Sequence, residues 1–170
     1  PASEILSAVA QFKLAEKLAM HVQWAVNEKI ALEIAYAGCM TGLRTAVSMK
    51  QVGLNVASDP FMSAAYMGVK GGFIVVSADD PGPHSSQTEQ DSRMMAMMAK
   101  VPVPDPDSPR QAKEMIGAAY ALSEAFRTPV MLRPTTRVCH SRQDIEVLPV
   151  VAAAGIEAKF DRDPARWAAT

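Results

Sequence analysis

The chain has 170 residues, of which 49% are apolar and 21% charged, and its 17 basic and 18 acidic side chains leave a formal net charge of −1. This composition predicts one globular domain with a real core. Nucleic acid is not an expected partner because no excess of basic residues is present. A membrane is not expected either, since no apolar run approaches the roughly 20 residues that cross a bilayer.

The two cysteines, Cys39 and Cys139, are far apart in the sequence. Two thiols cannot form a disulfide framework, and they cannot hold an iron–sulfur cluster alone, since such clusters usually take four thiolates. We therefore expect a reduced, cytoplasmic protein.

The first half of the chain alternates between helical and strand patterns. Asn27 is a predicted N-cap because it precedes an apolar run of helical spacing. The predicted elements are a helix at 1–18, a strand at 20–24, a helix from 28 to about 38, a strand at 44–49, and a loop leading into a helix over 51–67.

The second half continues the alternation. The run 73–78 is apolar and rich in β-branched residues, which predicts a fully buried strand. Ser108-Pro109 predicts a helix start, with the serine as N-cap. The predicted elements are a strand at 73–78, a polar loop at 79–87, a helix at 88–99, an edge strand at 101–103, a helix up to 126 and a strand at 129–132.

Strands alternating with helices predict an α/β fold, an open and mainly parallel sheet with helices on both faces. We expect the domain to cover 1–147 and a linker or tail to cover 148–170. In such folds, ligands bind beyond the carboxyl ends of the strands. The loops to consider are 26–28, 50–55, 79–90 and 133–140, all of them polar.

Glu28 is predicted to lie in the first turn of a helix that follows a strand and a turn. On position alone, the better interpretation is a carboxylate that stabilises the helix dipole. Glu33 is a weaker candidate because it would face away from Glu28.

Two other groups of residues have a structural and a functional interpretation. Asp79 and Asp80 could be paired carboxylates or metal ligands, but Asp-Asp-Pro-Gly is more typical of a turn. Cys139 and the three histidines match no common zinc spacing, so we expect no metal site in this chain.

Five segments, taken in order, resemble the first domain of the indolepyruvate ferredoxin oxidoreductase large subunit. The pattern is carried by PASEI at 1–5, VQWAVNEKIALE at 22–33, MKQVGLNVASDP at 49–60, ADDPGPHSSQTEQDSR at 78–93 and RPTTRVCHS at 133–141. The resemblance implies a thiamine-diphosphate-binding fold in which this domain binds the aminopyrimidine.

The resemblance places the cofactor-activating glutamate of the family at Glu28. It implies that this carboxylate bonds to a pyrimidine ring nitrogen and favours the imino tautomer, which can accept the thiazolium proton. It implies further cofactor contacts at Val52, Gly53 and Leu54. Tentative substrate contacts are implied in the 80–93 loop, at His84, Ser86 and Arg93.

The implied reaction is oxidative decarboxylation of a 2-oxo acid, expected to be an aryl pyruvate such as indolepyruvate, to an acyl-coenzyme A with reduction of ferredoxin. Magnesium, iron–sulfur clusters and the diphosphate-binding domain or subunit are expected outside these 170 residues, as are the family's first strand and helix. An isolated chain is therefore expected to be inactive, and an oligomer is expected. The methionines at 94, 95, 97 and 98 are one candidate partner surface.

Two alternatives remain open. A non-oxidative thiamine-dependent 2-oxo acid decarboxylase with split subunits would share this domain without needing ferredoxin. A non-catalytic assembly module would keep the fold for subunit contacts only.

Overall fold

The computed structural model describes residues 2–12, 18, 20–82, 84, 86–147 and 157–167 of the chain. Its sheet has three parallel strands in the order β1 (Thr45–Lys50), β2 (Phe73–Ala78) and β3 (Val130–Leu132). All six residues of the central strand β2 are buried, as its continuous apolar run predicts.

Helices connect the strands and follow them. The helices are α1 (Ser3–Gln11), α2 (Glu28–Met40), α3 (Gln51–Val56), α4 (Ser58–Met67), α5 (Arg93–Ala99), α6 (Pro109–Phe126), α7 (Thr136–Cys139) and α8 (Pro164–Trp167).

The two faces of the sheet carry separate cores, because successive side chains of a strand point to opposite faces. Phe73 and Val75 of β2 pack in the larger core, to which α2, α3, α4 and α5 contribute. Ile74 and Val76 pack on the other face against α6. An open parallel sheet with helices on both faces is therefore confirmed.

Side-chain caps begin two of the helices at the predicted places. The Asn27 side chain accepts a hydrogen bond from the backbone N–H of Ile30 at 2.9 Å, so α2 begins at Glu28. Ser108 does the same for Gln111 at 3.3 Å, and α6 begins at Pro109. Each cap satisfies a backbone donor that has no partner within the helix.

The prediction of a strand at 20–24 is wrong. These residues are irregular, and Val22 and Trp24 are exposed, because no strand pairs with this segment in the described sheet. The helix predicted at 1–18 is observed as α1, which ends at Gln11; residues 13–17 lie outside the described residues.

The helix predicted to start at Thr88 begins instead at Arg93. The prediction of a strand at 101–103 is also wrong, because these residues are irregular. This segment runs beside β3, and the carbonyl groups of Pro102 and Pro104 accept bonds from the N–H groups of Met131 and Arg133 at 3.0 and 2.9 Å. A proline has no N–H to donate, so these residues cannot return the bonds that a regular ladder needs.

Residues 157–167 lie against the amino-terminal edge of the sheet. The Lys159 N–H donates to the Thr41 carbonyl at 2.9 Å, and the Lys70 ammonium pairs with Asp161 at 2.8 Å. Within the part of the chain described here, no helix is long and apolar enough to cross a membrane.

Candidate active site

Glu28 is half-buried in the first turn of α2, near the carboxyl edge of the sheet. Its position follows from the Asn27 cap, because the irregular segment ends at Asn27 and the helix begins at Glu28. A carboxylate here is favoured by the positive end of the helix dipole. Position alone therefore accounts for a glutamate, and its contacts must decide whether it has a further role.

The side chain of Glu28 packs against Gly53. A Cβ atom built on Gly53 would lie 2.5 Å from Cγ of Glu28 and 2.9 Å from both its carboxyl carbon and Oε1. Since real Cβ atoms essentially never approach so closely, only glycine fits at this position without a shift of Glu28. The structure thus brings together two residues that lie 25 positions apart and that the resemblance had separately implied as cofactor contacts.

The flanking residues Val52 and Leu54 differ in exposure. Val52 is half-buried, whereas the Leu54 side chain is fully buried in the larger core. A ligand beside Gly53 could therefore touch the side chain of Val52 but only the backbone of Leu54.

The loop after β2 curls around the carboxylate of Asp80. Its Oδ2 accepts hydrogen bonds from the backbone N–H groups of His84 and Ser86, at 3.1 and 3.0 Å. This is how the sequence Asp-Asp-Pro-Gly forms a compact loop at the end of a strand. It fixes the backbone at both of the tentative substrate contacts in this segment.

Asp79 is fully buried and belongs to an ion pair. Its Oδ2 accepts from Nε of Arg133 at 2.7 Å, and both Oδ atoms accept from Ser92, through the backbone N–H at 2.7 Å and through the hydroxyl. Arg133 is only 3% exposed. A buried carboxylate whose lone pairs are used in this way is a structural group, so the turn interpretation of the two aspartates is the better one.

Sequence reasoning missed the role of Arg133. A signal was available, because Asp79 and Arg133 each follow directly after one of two strands, β2 and β3, that prove to be neighbours. The carboxyl ends of adjacent parallel strands place such residues side by side. The guanidinium also reaches Asp105 at 3.1 Å, which ties the 104–106 segment to the sheet.

Arg93 is engaged with acidic side chains. Its Nη2 and Nε donate to Asp91 at 2.6 and 2.8 Å, and Nη1 lies 3.5 Å from Asp105. The hydrogen bond from Arg93 is the main cause that lowers the pKa of Asp91 to about 2. The guanidinium therefore already has a carboxylate partner at the place where a substrate anion was expected.

The 87–90 segment is held against the start of α3. Gln51 donates from Nε2 to the Thr88 carbonyl at 3.1 Å, and Asn55 donates to Oε1 of Gln90 at 2.8 Å. Nε2 of Gln90 returns a bond of 3.4 Å to the Gln51 carbonyl. These bonds explain why 88–91 stays irregular, and they place the loop over the helix that carries Gly53.

The rings of His84 and His140 meet edge to face, with centroids 6.4 Å apart. The adjacent thiol of Cys139 is half-buried, and burial raises its pKa. Among the described residues, no group of three or more histidine, cysteine or acidic side chains is placed to hold a metal ion.

The protein is of the open α/β class, and Glu28 lies against a glycine at the carboxyl edge of its parallel sheet, the edge at which such folds bind ligands. The chain belongs to the family described as pyruvate flavodoxin/ferredoxin oxidoreductase, thiamine diphosphate-binding, whose pattern matches residues 1–169.

Curated relatives support this assignment. The chain is 46% identical to the indolepyruvate oxidoreductase subunit IorA of Thermococcus kodakarensis, over 98% of this chain and 26% of the relative. It is 48% identical to the subunit of the same name from Methanothermobacter marburgensis, over 86% of this chain and 23% of the relative. The chain thus spans about a quarter of the length of these relatives.

A solved structure shares the fold. A 2-oxoglutarate:ferredoxin oxidoreductase from Magnetococcus marinus, with 2-oxoglutarate, coenzyme A and succinyl-CoA bound, aligns with a TM-score of 0.70 at 18% identity. The alignment covers 79% of this chain and 24% of that one. At this identity the likeness establishes the fold and leaves the residue roles to the local geometry.

Proposed function

We propose that this chain is the aminopyrimidine-binding domain of a thiamine-diphosphate-dependent 2-oxo acid:ferredoxin oxidoreductase that acts on indolepyruvate or a related aryl pyruvate. The observation that carries the proposal is the contact between the Glu28 carboxylate and Gly53, in a chain matched by the family over residues 1–169. The names of the curated relatives supply the substrate class.

The residues present fit the pyrimidine end of the cofactor. Gly53 has no side chain, so the Glu28 side chain can lie against the backbone of α3, and a ring that bonds to its carboxylate would lie beside this helix. Val52, also half-buried, offers an apolar contact to such a ring. When bound, thiamine diphosphate supplies a carbon nucleophile for the keto group and an electron sink for decarboxylation.

In this proposal Glu28 holds a proton at a ring nitrogen of the pyrimidine. A hydrogen bond between a carboxyl group and a ring nitrogen orients the ring and shifts its proton balance. The half-buried position strengthens such a bond, because the surrounding dielectric is lower than that of water. Gly53 makes this position of the carboxylate possible, since a larger residue there would displace the Glu28 side chain.

The anchored loop segment of residues 84 and 86–90 covers the substrate in this proposal. Its backbone is held by Asp80 at one end and by Gln51 at the other, where Asn55 also bonds to the side chain of Gln90. His84 and Ser86 are presented by this loop. Ordering the loop before substrate arrives lowers the entropy lost on binding.

The remaining components are assigned to other parts of the complex. We propose that the diphosphate-binding domain or subunit holds magnesium, that iron–sulfur clusters pass electrons to ferredoxin, and that coenzyme A accepts the acyl group. Exposed Met94, Met97 and Met98 on α5 are a proposed partner surface. We keep 148–170 as a proposed linker or tail, and a cytoplasmic location remains a prediction from the two unpaired cysteines.

The test is an assay of the full complex with indolepyruvate, coenzyme A and a ferredoxin or viologen acceptor. The proposal predicts acceptor reduction that depends on coenzyme A and on thiamine diphosphate. Release of an aldehyde without acceptor reduction would instead identify a non-oxidative decarboxylase. A complex that assembles with this domain but turns over no 2-oxo acid would identify an assembly module.

A further inference from the structure

Lys50 is the last residue of β1, directly before the helix that carries Gly53. Its side chain is half-buried at the carboxyl edge of the sheet, where the loops of the proposed active site meet. A 2-oxo acid carries a carboxylate next to its keto group, and a cation near Glu28 would stabilise that carboxylate when the acid binds there.

Two arginines of these loops, the buried Arg133 and the exposed Arg93, already have anionic partners. Arg133 pairs with Asp79 at 2.7 Å and with Asp105 at 3.1 Å. Arg93 pairs with Asp91 at 2.6 Å. Binding a substrate carboxylate to either guanidinium would require these pairs to be shared or broken, which is costly for the buried one.

Lys50 has a neutral partner instead. Its ammonium donates to the amide oxygen of Gln87 at 3.2 Å. None of the ion pairs formed between described residues includes Lys50. An ammonium group has three donors, so two remain after this bond for an incoming anion.

The Gln87 bond also gives the ammonium a defined place. Gln87 lies between Ser86, whose N–H is held by Asp80, and Thr88, whose carbonyl is held by Gln51. The Lys50 ammonium is therefore bonded to the loop that presents His84 and Ser86. The backbone of Lys50 lies at the end of β1, directly before the helix that contains Gly53.

From this geometry we propose that Lys50 binds the carboxylate of the 2-oxo acid and thereby orients the keto carbon toward the cofactor. This inference rests on the proposed function. Arg93, one of the tentative substrate contacts, acts in this account as a structural partner of Asp91. The loss of one charge-assisted hydrogen bond in a half-buried site corresponds to about a 10- to 100-fold weaker affinity.

The test measures binding and does not depend on turnover. Calorimetry on the full complex, loaded with thiamine diphosphate and magnesium, compares indole-3-propionate with its carboxamide, which has the same shape but no charge. The native complex is expected to prefer the carboxylate. Lys50→Gln should weaken carboxylate binding about 10- to 100-fold and leave carboxamide binding within about twofold.

Three variants serve as controls. Lys50→Arg should restore most of the preference for the carboxylate, because it restores the charge. Lys100→Gln removes a positive charge after α5, away from this edge, and should leave the preference unchanged. Arg93→Gln should also leave it unchanged.

Unchanged carboxylate preference in Lys50→Gln would overturn the inference, and so would a loss of preference in Arg93→Gln alone. Thiamine diphosphate affinity should stay at the native value in Lys50→Gln, and its loss would show that the lysine acts through the fold of α3. A native complex that binds no thiamine diphosphate would refute the proposed function itself, which distinguishes the two failures.

Discussion

The side chain of Glu28 packs against the α-carbon of Gly53, so closely that a methyl group added to the glycine would be 2.5 Å from Cγ of the glutamate. This contact joins the start of α2 to the helix that follows β1. Glycine at position 53 is thus required for the observed position of the carboxylate.

Gly53→Ala should displace Glu28 and weaken thiamine diphosphate binding by the full complex. Alanine is a better helix former than glycine, so the fold itself should not suffer from the change in propensity. Titration of the cofactor, followed by tryptophan fluorescence or calorimetry, measures the effect.

Gly117→Ala is the matched control for that variant. Gly117 lies within α6, and no heavy atom lies within 4 Å of the Cβ that would be added. This substitution should leave cofactor affinity unchanged and raise the unfolding free energy by about 0.5–1 kcal/mol. Equal cofactor affinity in both alanine variants would show that the Glu28–Gly53 contact does not matter for binding.

Arg133→Met should destabilise the domain strongly, because it leaves the fully buried carboxylate of Asp79 without its cation. Removing one partner of a buried pair typically costs about 3–5 kcal/mol. Urea unfolding of the purified complex or domain, monitored by circular dichroism, provides the measurement.

The surface variant Arg44→Gln is the comparison for Arg133. Arg44 pairs with Glu124 at 2.6 Å, but its side chain is 57% exposed. Exposed pairs contribute about 0–1 kcal/mol, so the unfolding free energy of this variant should be close to that of the native protein. Similar losses for the two variants would contradict the structural role given to the buried pair.

The unfolding free energy of the protein should fall as the pH decreases from about 4 toward 2. The folded pKa of Asp91 is depressed from 3.8 to about 2, mainly by the hydrogen bond from Arg93. A depressed carboxyl pKa adds stability above the unfolded value, and this stability is lost as the pH falls through the folded value.

Asp91→Asn removes this titration and should flatten the dependence of unfolding free energy on pH between about 4 and 2. The comparison is made by chemical denaturation at several pH values at constant ionic strength. The same slope in Asp91→Asn and the native protein would exclude Asp91 as a source of the acid sensitivity.

Gln90→Ala should loosen the loop without unfolding the domain. The substitution removes one bond to Asn55 and one to the backbone of Gln51. Hydrogen exchange of residues 86–91 should become faster, while exchange in the central strand β2 stays slow. Equal acceleration in both segments would mean that the loop is part of the global folding unit.

Local signals predicted the parts of this fold that depend on neighbouring residues. The Asn27 and Ser108 caps predicted both helix starts, and the apolar run of β2 predicted its bounds, because caps and burial patterns are set within a few residues. The start of α5 was missed because bonds from Gln51 and Asn55, more than 30 positions away, hold 88–91 out of the helix.

In the candidate site, too, the features that depend on distant residues could not be predicted from the sequence. Glu28 and Gly53 were predicted as cofactor contacts by resemblance, while their mutual contact follows only from the packing of α2 on α3. Neither the Asp79–Arg133 pair nor the neutral partner of Lys50 is visible in the sequence, since each depends on which loops share one edge of the sheet. Arg93 looked available as a substrate contact because its spacing from Asp91 does not by itself predict that the two side chains bond to each other.

The most direct test of the account is Glu28→Gln in the full complex, with Glu33→Gln as its control on the same helix. Glu33 is exposed and lies 3.9 Å from Lys29, so its loss should leave turnover near the native rate. Glu28→Gln should keep the assembly and the fold but reduce thiamine-dependent turnover of indolepyruvate by about 100-fold or more, in the range of a lost acid–base group. Native turnover in a correctly assembled Glu28→Gln complex would contradict the central claim.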